Sequence, residues 1–356
     1  MDPAPPRAAM DTAHALADQE FLQALERYAR PVREKLLGYL PDPGASSLAD
    51  RVREYPLRRG KSLRGALCLA LGSAMGAAPD ELLPTAAMLE LHHNAQLILD
   101  DIADESEQRR GRPTLHRMHG SALAHNAAIE LMRIANTAPM LDNERLLGRQ
   151  MTGLLGQVLA ARSQQCLEGQ DDELRWRVDP VWPLQDEDYL RIVSGKTSTF
   201  ATVLPIELAL LIASGGEPLP AAAVRFAELV GAAFQIQDDV LNLEGGTEYG
   251  KELLGDLLEG KPTLMLGHAQ RHCSLGERQV LQEWMQLDRN SRSPEAARAI
   301  LAILVRHRSI AYARSFAEAL SAGAVRVFDD LFADIPDGPD RRFVRQMASW
   351  VVRRTR

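Results

Sequence analysis

Three aspartates at helical spacing are the first side chains in this sequence that could bind divalent cations. Asp100 and Asp101 are followed by Asp104, so Asp100 and Asp104 lie one helical turn apart on the same face. Like charges at this spacing repel each other, and aspartate is a poor helix former. A cation would offset the repulsion, and a site with only oxygen ligands favours magnesium. A solvated acidic helix end is the alternative, and this motif alone does not decide between the two.

A second acidic pair, Asp238 and Asp239, ends another strongly apolar segment. Two acidic helix ends in one bundle can face each other across a cavity and hold metal ions between them. The second pair therefore favours metal-ion binding over a solvated acidic surface.

Basic side chains accompany both acidic pairs. Arg109 and Arg110 follow the first pair, and Lys196 precedes the second. Each of them alone is best interpreted as a surface charge. Together with the acidic pairs they predict a polyanion that is held through metal ions and through direct contacts, because arginine and lysine both bind phosphate oxygens. The other cations that fit this prediction are Lys61, Arg64, Lys251 and Lys261.

His93 lies seven residues before Asp100, so it projects from nearly the same helix face. Its spacing alone favours a buried structural histidine. Neither GxxxxGK[ST] nor GxGxxG occurs in the sequence, and no Ser-His-Asp arrangement is evident, so nucleophilic and dinucleotide chemistry have little support.

The elements that carry these side chains are predicted to be helices. Apolar residues recur mostly at i, i+3, i+4 and i+7, and alternating strand patterns are nearly absent. We predict an all-α fold of about ten helices packed as one bundle-like domain. The Pro-rich and Ala-rich segment 1–17 is expected to be a loose leader, and residues 18–356 are expected to form the domain.

Composition argues against several classes of function. The formal charge is −7, which argues against general nucleic-acid binding. No segment reaches the roughly 18 uncharged apolar residues that a membrane span needs, so stable membrane insertion is not expected. The three cysteines are scattered and in no metal-ligand spacing, which indicates buried thiols in a reducing compartment and a cytoplasmic protein.

Several stretches, in order along the chain, resemble the trans-isoprenyl diphosphate synthase (polyprenyl synthetase) family. The resemblance is closest to type III geranylgeranyl diphosphate synthases. The stretches are RRGKSLRG from Arg58, LHHNAQLILDDIADESEQRRGRPTLH from Leu91, GQDDELRWR from Gly169, GKTSTF from Gly195, FQIQDDVLNL from Phe234 and GDLLEGKPTL from Gly255.

This resemblance implies a single-domain bundle of antiparallel helices around a deep central cavity, usually in a homodimer. It implies three Mg²⁺ ions, held by Asp100, Asp104 and Asp238, with Asp101 and Asp239 as supporting or alternate ligands. The residues implied to bind the allylic diphosphate are Arg109, Lys196, Thr197, Gln235, Lys251 and Lys261, with Gln170 nearby. Those implied to bind isopentenyl diphosphate are Lys61, Arg64, His93 and Arg110.

The implied reaction is ionisation of the allylic diphosphate followed by condensation with isopentenyl diphosphate. A class I terpene cyclase and a non-catalytic partner subunit of a synthase are the two alternatives. Gln96 lies one turn, about 6 Å, below Asp100 on the same helix face, and Ala95 lies beside it. Family members with short products are implied to carry bulky aromatic residues here, so Ala95 and Gln96 predict the twenty-carbon product, geranylgeranyl diphosphate.

The last residues are rich in arginine. A helix with cations near its C-terminus suits the helix dipole, so the sequence favours a solvated last helix. A lid over the second diphosphate and a membrane-surface contact are the alternatives. The arginines are Arg341, Arg342, Arg345, Arg353, Arg354 and Arg356.

Overall fold

The computed structural model of the protein describes residues 7–58, 60–245 and 252–354, with side chains from residue 18 onward. Within these ranges the chain forms sixteen α-helices. The first eight are α1 (Arg7–Tyr39), α2 (Ser47–Leu57), α3 (Leu63–Ala74), α4 (Pro79–Ala103), α5 (Leu115–His119), α6 (Ser121–Ala135), α7 (Ala138–Val178) and α8 (Asp186–Val193). The others are α9 (Leu204–Ala213), α10 (Ala221–Glu244), α11 (Gly255–Glu259), α12 (Leu264–His272), α13 (Leu275–Gln286), α14 (Pro294–Arg306), α15 (Ser309–Leu331) and α16 (Pro339–Arg353).

The prediction of an all-α fold is confirmed, since the described residues contain only one two-residue strand pair, β1 (Gln108–Arg109) with β2 (Arg112–Pro113). The estimate of about ten helices was too low. The C-terminal apolar pattern suggested one continuous helix, but the chain breaks between α14 and α15, where Arg308 has a left-handed backbone (φ 54°). The count was also too low because short helices such as α5 and α11 lie in stretches without a long apolar period, where periodicity does not predict a helix.

The backbone is helical from Arg7, so the second part of the expected leader, residues 7–17, continues into α1. The domain boundary at residue 18 stays a prediction.

Helix α4 begins and ends at residues suited to its two termini. Pro79 occupies the first helical position, where its missing N–H costs nothing, and Asp80 and Glu81 in the first turn suit the helix dipole. The helix ends at Ala103 with Asp104 as its C-cap, and Glu105 then takes a left-handed backbone (φ 52°) that turns the chain into the β1–β2 hairpin. The first acidic motif is therefore the last turn of a long helix whose preceding turns are buried.

The segment between α8 and α9, Ser194–Val203, is a π-helix. Such wider turns are rare and often lie at functional sites. The whole helical run Asp186–Ala213 is the one helix, among the described residues, that is long and apolar enough to cross a membrane by length and composition. The sequence prediction found no such segment. Since 72% of its most apolar window is buried against the rest of the bundle, it has the burial of a core helix.

The last helix is not solvated along its length, which corrects the preferred interpretation of the arginine-rich end. Phe343 and Trp350 of α16 are buried and stack on Phe21 of α1, with ring centroids 5.2 and 4.5 Å apart. The apolar stripe of α16 therefore packs this helix against the bundle. Among its arginines, Arg342 is exposed, whereas Arg354 is only 5% exposed and lines the central cavity. Arg356 lies outside the described residues.

Candidate active site

A cavity of about 1240 Å³ opens inside the bundle, with walls from α3, α4, α7, the π-helix and α10. Asp100 and Asp104 line it from the end of α4, and Asp238 lines it from α10. Both acidic motifs therefore reach one cavity. The second motif is not a helix end, because α10 continues past Asp238 to Glu244.

Within the first motif, neighbouring aspartates have different surroundings. The side chain of Asp101 is buried and does not line the cavity. It accepts hydrogen bonds from the hydroxyl of Tyr55 and from Nε of Arg109, the latter at 2.9 Å. Asp100 faces the cavity instead, with Nζ of Lys196 3.9 Å from its carboxylate. Asp101 thus anchors the hairpin to α2 and α4, while Asp100 is available to a ligand.

The second motif divides its roles in the same way. Asp239 is 1% exposed and accepts hydrogen bonds from Tyr189 at 2.8 Å, from Gln235 at 2.7 Å and from Lys261 at 2.9 Å. Asp238 lines the cavity and pairs with the guanidinium of Arg354. In each adjacent pair of aspartates, Asp100–Asp101 and Asp238–Asp239, the second carboxylate is held by protein donors and the first borders the cavity.

The β1–β2 hairpin places two of the predicted cations. Arg110 and Gly111 form its turn with φ values of 54° and 72°, which is typical of a tight two-residue turn that suits β-strand twist. Nη1 of Arg110 lies 3.1 Å from the carbonyl of Tyr55 and 3.4 Å from Oδ1 of Asn94. Because of burial, the pKa of Arg110 falls to about 10. Both Arg109 and Arg110 line the cavity.

A close glycine contact brings Lys196 to the cavity. Gly169 of α7 lies against the start of the π-helix so tightly that a Cβ there would be 2.3 Å from the backbone N of Lys196 and 2.5 Å from the carbonyl carbon of Gly195. The next residue, Thr197, donates a hydrogen bond to Gln235 at 2.8 Å, and Gln235 in turn donates to Asp239. This chain of hydrogen bonds ties the π-helix to the second acidic motif.

Two charged residues that the sequence reasoning did not single out join the first motif to α7. Arg177 donates to Asp104 at 2.7 Å and to Glu173 at 2.6 Å, and Glu173 also accepts from Lys196 at 3.1 Å. Glu173 is 3% exposed. Burial alone would raise the pKa of Glu173, but the charges of Lys196 and Arg177 hold it at about 2. A signal for both existed, because Gln170, Glu173 and Arg177 recur at i, i+3 and i+7 on one face of α7.

Other cavity-lining residues were also missed by the sequence reasoning. Asp256 and Glu259 come from α11, and burial with the nearby charge of Asp104 raises the pKa of Glu259 to about 8. Arg58 follows α2, is 8% exposed and stacks on the ring of Tyr55. These residues lie within or beside the stretches that carried the resemblance, but their spacing alone gave no reason to choose them.

The residues predicted to bind isopentenyl diphosphate also meet in the cavity. Lys61, Arg64, His93 and Arg110 all line it. Lys61 lies just before α3, with its Nζ 5.3 Å from the ring centroid of Trp350. Burial lowers the pKa of Arg64 despite the nearby charge of Glu90, and its Nε is one of the buried side-chain atoms, among those described, that have no hydrogen-bond partner. An anion in the cavity would satisfy such a donor.

The remaining predicted residues are placed as follows. Gln170, Lys196, Thr197, Gln235 and Lys261 line the cavity, whereas Lys251 lies outside the described residues. Gln96 lines the cavity, with its amide nitrogen 3.9 Å from Sγ of Cys166. Ala95 is fully buried in the hydrophobic core and is not part of the cavity wall.

The carboxylates suit magnesium in a particular way. Burial raises the pKa of Asp100, Lys196 lowers it and Asp104 raises it further, so extra positive charge would stabilise the ionised form. In the described part of the chain, no three Asp, Glu, His or Cys side chains lie close enough to hold a metal ion by themselves. This fits Mg²⁺ bound by one or two carboxylates and completed by substrate phosphates.

Comparison with known proteins identifies the family of the chain. Residues 46–304 match the family model described as polyprenyl synthetase. The chain is 28% identical to an octaprenyl diphosphate synthase of Haemophilus influenzae, over 76% of this chain and 79% of the relative. It is 30% identical to a short chain isoprenyl diphosphate synthase of Methanothermobacter thermautotrophicus, over 74% and 79% respectively.

A solved structure shows the same fold. The polyprenyl synthase of Caulobacter crescentus, crystallised with calcium and isoprenyl diphosphate, superposes with a TM-score of 0.81 at 23% identity, over 94% of this chain and 98% of that one. The family match covers well over half of the chain and includes both acidic motifs. The chain belongs to the polyprenyl synthetase family.

Proposed function

We propose that this isoprenyl diphosphate synthase uses Mg²⁺ to condense an allylic diphosphate with isopentenyl diphosphate and forms geranylgeranyl diphosphate. The observation that carries the proposal is that Asp100, Asp104 and Asp238 reach one cavity whose walls also carry two sets of cationic side chains. One group of metal-binding carboxylates, together with two sets of cationic side chains, suits a cavity that binds two diphosphates.

The residues assigned to the allylic diphosphate are Arg109, Lys196, Thr197, Gln235 and Lys261, with Gln170 beside them. Bound magnesium would supply positive charge between the carboxylates and the departing diphosphate. Lys196 and Lys261 stay protonated. Burial lowers the pKa of each side chain, but neighbouring carboxylates raise it by more. These fixed positive charges stabilise the charge that develops as the carbon–oxygen bond breaks.

Lys61, Arg64, His93 and Arg110 are assigned to isopentenyl diphosphate. Held there, its double bond attacks the allylic cation, a new carbon–carbon bond forms, and the released diphosphate takes the proton that is lost. The apolar wall of the cavity keeps water from the cation. The presence of both sets of cations in the cavity favours elongation over a class I terpene cyclase, which has no second diphosphate to bind.

Product length follows from the lower cavity. Ala95 lies in the core, so the predicted effect on length rests on Gln96 alone. Gln96 is half-buried and contacts Cys166 only through a long S···N approach, so it is not a rigid barrier beneath Asp100. This supports the twenty-carbon product, and Gln96→Phe should shorten it. A homodimer and three Mg²⁺ ions per site are part of the same proposal by resemblance to the family.

The test is incubation of the purified chain with Mg²⁺, farnesyl diphosphate and isopentenyl diphosphate, followed by chain-length analysis. We expect geranylgeranyl diphosphate, and we expect Asp100→Ala and Asp238→Ala to reduce the rate far more than tenfold, or about 1.4 kcal/mol of barrier. Farnesyl diphosphate as the end product would contradict the assigned length. Hydrocarbon release without isopentenyl diphosphate would favour the cyclase, and activity only after a second protein is added would favour a partner subunit.

A separate test concerns the second set of cations. Lys61→Ala should mainly raise the KM for isopentenyl diphosphate. An equal effect on the allylic substrate would contradict the division of the two diphosphates.

A further inference from the structure

The last turn of α2 carries a tyrosine, Tyr55, that is fully buried and does not line the cavity. Its hydroxyl accepts a hydrogen bond from the backbone N of Leu115 at 3.3 Å and donates one to Oδ2 of Asp101. Burial, together with the charge of Asp101, raises the pKa of this hydroxyl, so it keeps the proton that it donates. The other carboxylate oxygen, Oδ1, accepts from Nε of Arg109 at 2.9 Å. Tyr55 therefore reaches Arg109 through one shared carboxylate.

The hydroxyl also determines how Arg109 uses that carboxylate. Both Nε and Nη2 of Arg109 bind Oδ1 alone, while Oδ2 is taken by the tyrosine. The Asp101 side chain is 1% exposed, so solvent cannot replace a lost donor. Without the hydroxyl, Oδ2 would draw the guanidinium toward a contact with both oxygens, which is a geometry that arginine and carboxylate favour, and away from the cavity that Arg109 lines. The Tyr55 hydroxyl therefore keeps Arg109 directed at the cavity.

The neighbouring arginine, Arg110, is held by a separate set of contacts. Its guanidinium lies against Gly60, where a Cβ would come within 2.4 Å of Nη2. Burial lowers its pKa, and the like charges of Arg109, Arg64 and Arg58 lower it further. Because like charges repel, this guanidinium needs acceptors to hold it in one orientation.

Asn94 supplies one of these acceptors from the buried side of α4. It is 4% exposed and does not line the cavity. Its Nδ2 donates to the carbonyl of Glu90, one turn earlier, at 2.7 Å, and its Oδ1 lies 3.4 Å from Nη1 of Arg110. A second acceptor is the carbonyl of Tyr55, at 3.1 Å. Because the donor end of the amide is occupied, Asn94 presents its oxygen to Arg110.

We propose that two buried residues outside the cavity wall, Tyr55 and Asn94, are positioning residues for the two adjacent arginines. Tyr55 acts on Arg109 through the shared carboxylate. Asn94 acts on Arg110 directly. The inference rests on the proposed function, in which Arg109 belongs to the allylic diphosphate and Arg110 to isopentenyl diphosphate. Separate supports let two consecutive residues of one hairpin hold different diphosphates.

The first test is steady-state kinetics of Asn94→Leu and Tyr55→Phe, each serving as the control for the other. Asn94→Leu keeps the side-chain volume and removes the acceptor, so the KM for isopentenyl diphosphate should rise about tenfold while that for the allylic diphosphate stays within about twofold. Tyr55→Phe removes only the hydroxyl and keeps the carbonyl that Arg110 uses, so the reverse pattern is expected. A merely structural role would weaken both substrates alike. Equal effects on the two substrates, or none, in either folded variant would overturn the proposal.

Calorimetry with single ligands tests the same division without turnover. Isopentenyl diphosphate is titrated alone, and farnesyl diphosphate is titrated with Mg²⁺. We expect Asn94→Leu to lose affinity only for the first ligand and Tyr55→Phe only for the second. If Asn94→Leu does not fold, Asn94→Ala, which only shortens the side chain, takes its place with the same expectation.

The outcomes separate this inference from the proposed function. The same affinity for isopentenyl diphosphate in the wild type and the Asn94 variant, absence of binding in both included, would overturn the positioning role. If the two ligands bind with the expected pattern but the wild type does not elongate, the proposed function fails and the positioning roles stand.

Discussion

Arg354 forms an ion pair with Asp238, the cavity-facing carboxylate of the second acidic motif. The same guanidinium lies 3.2 Å from the carbonyl oxygen of Phe234 and stacks on the ring of that residue at 4.1 Å. The backbone carbonyl of Arg354 accepts a hydrogen bond from Gln237 at 3.0 Å. Arg354 is thus bonded to α10 beside the proposed metal ligand, and its positive charge lies where a metal ion would compete for the same carboxylate.

Arg354→Ala should therefore strengthen magnesium binding. A hydrogen bond to a charged group contributes about 1.5–3 kcal/mol, and loss of a competitor of that size corresponds to an affinity roughly 10- to 150-fold tighter. The measurement is a calorimetric Mg²⁺ titration in the presence of inorganic diphosphate. Arg353→Ala is the control, because Arg353 is more exposed and pairs with Asp18 at 3.8 Å, away from Asp238. Unchanged or weaker Mg²⁺ binding in Arg354→Ala would refute the competition.

Asp101→Ala should destabilise the fold, unlike Asp100→Ala. Asp101 is paired with Arg109, whose side chain is only 11% exposed, and it accepts the hydroxyl of buried Tyr55. Removing one partner of a buried pair costs about 3–5 kcal/mol, because the other charge stays buried without compensation. Chemical denaturation of both variants measures this. Asp100→Ala removes a repelling charge that faces the cavity, so its unfolding free energy should stay near that of the wild type. Equal losses in the two variants would contradict the division of roles.

The two neighbouring aspartates, Asp100 and Asp101, show how much of the site can be predicted from the sequence. The i, i+4 spacing of Asp100 and Asp104 predicted one shared face, and the structure has both on the cavity wall. The helical rotation also turns Asp101 away from that face, so spacing alone could have separated it from the other two. Its partners, Tyr55 and Arg109, come from elements whose packing is a tertiary property, and no local pattern identifies them.

Other contacts in the site could not be predicted from the sequence for the same reason. Arg354 lies 116 residues from Asp238 along the chain, and a cationic helix end looks the same in the sequence whether it is solvated or docked. The close approach of α7 to the π-helix depends on Gly169. From the sequence alone, an isolated glycine in a helical pattern does not show whether it is a packing contact. The all-α fold was predictable, since amphipathic periodicity is a local property, whereas the π-helix depends on how its neighbours pack.

Gly169→Ala should destabilise the fold and displace Lys196. The new Cβ would lie 2.3 Å from the backbone N of Lys196, and backbone atoms at that contact cannot rotate away. Overpacking of this kind costs about 1–3 kcal/mol. The matched control is Gly153→Ala on the same helix, where a Cβ meets nothing within 4 Å, so it should stabilise by about 0.5–1 kcal/mol through helix propensity. Thermal unfolding of the two variants measures the difference. If both alanines stabilise, the close approach of the two helices is not a constraint.

Glu173→Gln should remove stability that depends on pH. The pKa of Glu173 is about 2 in the fold and 4.5 as its ordinary value, because Lys196 and Arg177 outweigh the cost of burial. A carboxylate with a lowered pKa stabilises the fold fully above its unfolded pKa, and the contribution is lost as the pH falls from about 4.5 through about 2. The shift corresponds to about 3 kcal/mol.

We therefore expect Glu173→Gln to be less stable than the wild type by about that amount at pH 7, with a difference that shrinks as the pH is lowered below about 4.5. Urea unfolding at a series of pH values measures it. The control is Glu168→Gln on the exposed face of the same helix, where the carboxylate accepts only from Gln164 at 3.0 Å and no comparable loss is expected. A deficit in Glu173→Gln that stays constant down to pH 3 would show that Glu173 acts through its shape and not through its charge. In that case Lys196 and Arg177 must be held in place by the remaining carboxylates, Asp100 and Asp104, to which each is already close.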